Sequence, residues 1–241
     1  MELLERRAEM VIAAKAHFAA DMLMKGTYGV GSGKKFKGCS VGCLAHEIAP
    51  RKQSYPNGVH AFVADHYGYP SWLAYLQDTI FEGLPNGPQG ENSKWHVQLA
   101  ETLAKLPADF DWDFALHRVH AAILRISYRT AGSAKEVVQH VLELHERAGR
   151  GEDISDEIWS AARSAAWSAA ESAAESAAWS AARSAAVSAA WSAARSAAWS
   201  AARSAAESAA WSAARSAAFQ DIRDAVLAAL PEPALSVKTV A

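Results

Sequence analysis

Cys39, Cys43 and His46 are the residues whose types and spacing most directly invite chemistry. In Gly38-Cys-Ser-Val-Gly-Cys-Leu-Ala-His46 they fall at i, i+4 and i+7, so a helix would put all three on one face. Thiolate and imidazole are zinc donors, so a three-ligand metal cluster is one reading. A reactive thiol is another, because a helix N-terminus and a nearby histidine would stabilise a Cys39 thiolate. The third reading has no chemistry: Cys is often a small buried hydrophobe, and Gly38 and Gly42 mark close packing.

Other candidates are weaker. Asp78 and Glu82, four apart, could act as paired carboxylates or form a solvated helix face. His117 and His120 share a face and read as core or surface imidazoles. Gly31-Ser-Gly-Lys-Lys35 fails as a phosphate loop: Tyr28 stands where the first glycine should, and Lys35 follows Lys34 where a Ser or Thr is needed. His46-Glu47 lacks the second histidine of a zincin helix. We assign no catalytic residue, metal or cofactor; Cys39, Cys43, His46, Asp78 and Glu82 stand as weak candidates.

The elements that would position these residues are mostly helical. Leu4, Ala8, Val11, Ile12, Ala19, Met22 and Leu23 predict an amphipathic helix from Glu2 to about Lys25. A Gly-Ser-Gly centre predicts a small β-hairpin near 27–37. Helices are expected over Ser40–Ile48, from Pro70 with Trp72, Leu73, Leu76, Ile80 and Phe81 inward, and over about Ser93–Leu106, Asp113–Arg129 and Ser133–Arg147. Ser133 and Glu136 have the spacing of a capping box. Gly83 to Gly90 reads as a loop, and Gly149 to Asp153 as a hinge, with Asp153 or Ser155 able to cap the next helix.

Beyond the hinge the chain becomes repetitive. Residues 159–218 are consecutive copies of x-Ser-Ala-Ala, where x is only Trp, Arg, Glu or Val. A strand would put every x on one face, but Ala is the best helix former and is depleted from strands. We read a helical tract over 154–230, roughly 115 Å long if unbroken. Each tetrad advances about 40° beyond a whole turn, so x residues wind around the helix. Their order nearly repeats after 32 residues, giving two units, 159–190 and 191–222. That interval is close to nine helical turns, so equivalent residues of the two units face alike.

Trp and Arg alternate along the tract four residues apart, close enough for cation–π contact. Trp159, Arg163 and Trp167 form one run, and Trp179 with Arg183 a second. Trp191, Arg195, Trp199 and Arg203 follow, then Trp211 and Arg215. These are the candidate interaction residues. Tall side chains above Ala and Ser let another surface approach closely, and a lone rod would leave its indoles wet. Packing within the chain, assembly with partners, and a slippage-generated tail are the three readings.

Composition narrows the class. Net charge is −2, and Arg at x positions barely outnumbers Glu, so nucleic acid is not an expected partner despite the stacking indoles. No apolar run is long enough to span a bilayer, and MELLERRAEM lacks a signal-peptide layout. Two cysteines make no disulfide framework, so a cytoplasmic protein is expected, with a protein partner or self-association and no membrane.

Gly38-Cys-Ser-Val-Gly-Cys-Leu44 and Tyr67-Gly-Tyr-Pro-Ser-Trp-Leu-Ala-Tyr-Leu-Gln-Asp-Thr-Ile-Phe-Glu-Gly-Leu-Pro85 together resemble a family of uncharacterised phage, prophage and bacterial proteins. Its members share GCxVGC and GxPxWLAxLxDxIFEGLP elements, often with an Ala-rich repetitive C-terminus. The resemblance covers roughly residues 20–130 and implies no activity. The repeat also resembles, by composition, predicted toxin-immunity proteins.

The expected protein is therefore mainly all-α. A globular helical domain over 1–150 carries the hairpin, the repeat occupies 154–230, and 231–241 form a tail. The leading expectation is a non-enzymatic interaction protein, an accessory factor of a phage or mobile element. The alternatives are a thiol-dependent enzyme or metal site at Cys39 and Cys43, and an immunity- or antitoxin-like binder.

Overall fold

A computed structural model describes residues 2–50, 54–86, 90–129, 131–168 and 214–230. Seven α-helices are delimited within them: α1 Leu3–Ala19, α2 Ser40–Ile48, α3 Gly58–Tyr67, α4 Ser71–Gly83, α5 Glu91–Ala104, α6 Trp112–Tyr128 and α7 Lys135–Ala148. Residues 156–168 and 214–229 are also helical. The chain is mainly helical, as its periodicity predicts. Among the described residues, one compact unit combines 2–116 with 216–230, and the other holds 117–168 with 214–215. The division falls inside α6.

In the first unit α1 lies along α5, while α2, α3 and α4 pack on one another. Met10, Val41, Leu44, Val63, Leu73, Phe81, Trp95 and Leu99 bury their side chains between these helices. Full burial of such residues contributes about 1.5–3 kcal/mol each. Arg7 is buried among them. Its guanidinium donates to the carbonyls of Tyr67 (3.1 Å), Gly68 (2.6 Å), Leu106 (3.1 Å) and Pro107 (3.3 Å). A cation is favoured at the C-terminal end of α3, where backbone carbonyls converge. Gly68 makes that end possible by taking the left-handed conformation (φ 66°), and Pro70 then begins α4 as its N-cap.

Several expectations need correction. The first helix stops at Ala19, not Lys25. Asp21 turns left-handed (φ 51°), the Met22 N–H closes onto the His17 carbonyl, and Leu23 is buried from a loop. The hairpin near 27–37 does not form as strands. Val30 and Lys37 make one antiparallel bridge around a 3₁₀ turn, Gly33–Lys35, and Leu23 bridges Gly38 in parallel. α3 has no counterpart among the helices expected from spacing. On α4, Ala74 and Gln77 are buried, whereas Trp72 and Leu76 are only half-buried. A 3₁₀ turn, Gly132–Ala134, precedes α7, whose N-cap is Ala134 rather than Ser133. α2 has the expected bounds.

In the second unit Leu144, Ala148, Ile154 and Ala162 form a buried cluster, joined by Val141 and Trp159. Arg125 and Glu146 link α6 to α7 at 2.8 Å. The segment Gly149–Asp153 is a turn, with Gly151 left-handed (φ 85°) and Arg147 paired with Glu152 across it. The two stretches of the repeat within the described residues are helical. Trp179, Arg183, Trp191, Arg195, Trp199, Arg203 and Trp211 lie outside them.

Candidate functional site

The cysteines are turned into the core. Cys39 is the N-cap of α2; its sulfur accepts the Gly42 N–H at 3.4 Å. The Cys43 thiol lies 3.4 Å from the Gly38 carbonyl and 3.6 Å from that of Met22. Burial pushes the Cys39 thiol far above its usual range, and the neighbouring Asp78 charge adds to this. Burial pushes Cys43 up to about 12. The helix N-terminus therefore does not yield a thiolate here, because desolvation outweighs the dipole. A Cβ at Gly42 would overlap the Tyr28 carbonyl, so the loop rests directly on α2. The glycines of this motif serve packing.

His46 does not join the two sulfurs; its ring stacks on Phe36, centroids 3.8 Å apart. Asp78 and Glu82 do not pair. Asp78 meets His60 at 3.3 Å, and His60 is stacked against Tyr75. The Glu82 carboxylate accepts the Gly26 N–H at 2.9 Å. Among the described residues no three or more His, Cys, Asp or Glu side chains are arranged to hold a metal ion.

A different constellation, missed in the sequence, runs through the same unit. Tyr69 O–H donates to Gln77 Oε1 (3.0 Å), and Gln77 Nε2 donates to Ser40 Oγ (2.6 Å). Ser40 Oγ lies 2.8 Å from His96 Nδ1, His96 Nε2 3.3 Å from His17 Nδ1, and His17 Nε2 3.0 Å from Glu47 Oε1. Tyr69, Gln77, Ser40, His96 and His17 are all buried; only Glu47 reaches solvent, at 45% side-chain exposure.

Donor and acceptor roles along this relay follow from its ends. Ser40 Oγ accepts from Gln77, so its own proton is directed to His96 Nδ1. A carboxylate only accepts, so His17 Nε2 carries the proton toward Glu47; burial favours the neutral ring, whose Nδ1 then accepts. His96 Nε2 then carries the proton between the rings. With both imidazoles neutral the two ends give the same direction, and every donor points toward Glu47. Burial agrees, lowering the His17 pKa and driving that of His96 well down.

The relay surfaces in a groove of about 450 Å³ between α1, α2 and α3. Glu9 and Glu47 supply its charges, and Ile12, Ala13, Ala16 and Ile48 its apolar surface. His66 also lines it, its pKa lowered by burial and by Arg6 against the pull of Glu9. With Ser40 and both thiols buried, the relay can hold a carboxylate in place but offers no exposed nucleophile. The sequence carried no signal for it: the buried stripe of α1 is Arg7, Met10, Ala14 and His17, not the face predicted from Leu4, Ala8, Val11 and Ile12, and Leu4 and Ile12 are exposed.

The second unit holds another histidine cluster. His117 Nδ1 and His145 Nδ1 are 2.9 Å apart, and the His120 and His145 rings meet T-shaped with centroids 4.8 Å apart. Trp159, the first x residue of the repeat, stacks on His117 (5.6 Å, 14°) and tilts over His145 (4.8 Å). Trp159 thus packs within its own unit, the intrachain reading of the tract. Burial, then His120 and His117, lowers His145 to about 4. Arg163 and Trp167 remain exposed one and two tetrads further on.

Among the described residues no helix is long and apolar enough to cross a membrane. No protein-family model, curated protein or solved structure matches the chain.

Proposed function

We propose that the protein is a non-enzymatic interaction protein, in which the helical units form a scaffold and the x-Ser-Ala-Ala tract meets a protein partner or a second copy. The observation that carries this reading is Trp167, whose indole is 76% exposed on the helix over 156–168. Trp159, eight residues earlier, is already half-buried against its own unit. An indole held in water on a regular helix is a contact waiting for a surface. The burial of both thiols withdraws support from a thiol-dependent enzyme. The GCxVGC and GxPxWLAxLxDxIFEGLP resemblance supports an accessory role in a phage or mobile element. An immunity-like binder would be the same class with a toxin as partner.

The test is a full-length variant with Trp167, Trp179, Trp191, Trp199 and Trp211 changed to Ser, leaving Trp159 in place. Light scattering and capture from the native host should show loss of self-association or of the bound partner. An unchanged oligomeric state together with unchanged capture would sink the reading. Truncation after Gly151 should act in the same direction.

A further inference from the structure

We propose that the groove between α1, α2 and α3 receives an Arg–Trp face of the x-Ser-Ala-Ala tract from a second copy of the chain. This rests on the tract being the interaction element, and it names the surface the tract meets. Two carboxylates, Glu9 and Glu47, line the groove, and among the described residues no Lys or Arg does. Its remaining surface includes the small residues Ala13 and Ala16 and the isoleucines Ile12 and Ile48; Ile12 is 70% exposed. The complementary ligand pairs a cation with a flat apolar group.

The chain carries that ligand itself. Arg163 and Trp167 are both exposed and lie four apart on one helix, hence on one face. The sequence repeats the same Arg-to-Trp step at Arg195 and Trp199. Guanidinium matches carboxylate oxygens in a planar fork, and an indole beside it would cover the isoleucines. Between these side chains the tract presents only Ser and Ala, so nothing holds the two surfaces apart. Glu47 is already fixed by the His17 N–H and the relay behind it, so its carboxylate loses little freedom on binding.

The experiment is light scattering of the full chain over a concentration series at low and high salt. Replacing both carboxylates (E9Q/E47Q) should weaken self-association at least about tenfold and remove its salt dependence. The side-chain amide of E47Q keeps an oxygen for the His17 proton, and a circular-dichroism melt checks the fold. Ile12→Ser, at an exposed position, should weaken association as well. Glu101→Gln removes the same charge from a pair with Lys15 (2.8 Å) and should leave association unchanged. If E9Q/E47Q and I12S associate like the parent while the tract Trp→Ser variant does not, the groove is wrong and the assembly reading stands. If the Trp→Ser variant also associates like the parent, and captures the same partners, both fail. A parent chain that is monomeric throughout but still captures a partner overturns the groove alone.

Discussion

Two histidine clusters solve the burial of imidazole in opposite ways. In the first unit, His17 and His96 sit in a line of hydrogen bonds closed by a carboxylate at one end and by an amide and a phenol at the other. In the second, His117, His120 and His145 crowd one another under an indole. The two Nδ1 atoms that meet there are chemically alike, so either can be the donor. A relay with unlike ends has one direction and one set of tautomers; a cluster of like groups has several. Buried polar groups define a fold only when each has an assigned role.

Breaking the relay in its middle should have the largest effect. His96→Leu keeps the volume apolar but leaves the Ser40 hydroxyl proton and His17 Nδ1 unmatched, although Gln77 and Glu47 still hold the other sides. We expect a loss of about 2–4 kcal/mol, read by denaturant unfolding, because stranded buried groups keep their full desolvation penalty. A loss no greater than that of an exposed substitution would mean the relay contributes nothing to stability.

Trimming the far end should cost less. Tyr69→Phe removes one donor and leaves only Gln77 Oε1 unmatched, so about 1 kcal/mol is expected by the same measurement. If it equalled His96→Leu, stability would not depend on position along the relay.

Acid sharpens the contrast with the smallest expected change. His145 has a folded pKa of about 4 against an ordinary 6.5, so the unfolded chain takes the proton first. The stability that depends on a neutral His145 should be complete above pH 6.5, decline as pH falls, and be lost below about 4. Partial exposure of this imidazole keeps the effect modest. Thermal melts followed by indole fluorescence over this window, with an NMR titration of His145, give the check; a flat profile would refute it.

The sequence and the structure agree where one local signal suffices. α2 starts after Cys39 because a capping side chain precedes an apolar run, and α4 starts after Pro70, whose extended backbone (φ −74°, ψ 150°) makes it the N-cap and which has no N–H to satisfy. They part where two signals compete. Met22 and Leu23 continue the apolar spacing of α1, yet the left-handed Asp21 sends them into a loop. Cys39 and Cys43 have the spacing of reactive ligands, yet burial leaves both as protonated core residues. The relay was illegible as a unit, because its residues are contributed by α1, α2, α4, α5 and the Gly68–Pro70 turn.

By itself the sequence determined the helical class, the bounds of α2, and the tetrapeptide period with its Trp and Arg alternation. These rest on propensity and spacing, which act between residues a few positions apart. Only tertiary structure decided that the cysteines are buried, that Trp159 is half-buried while Trp167 is exposed, and that Glu47 ends a directed relay. Those outcomes depend on which surfaces meet and how much water they exclude, and desolvation has no signature in a short window of sequence.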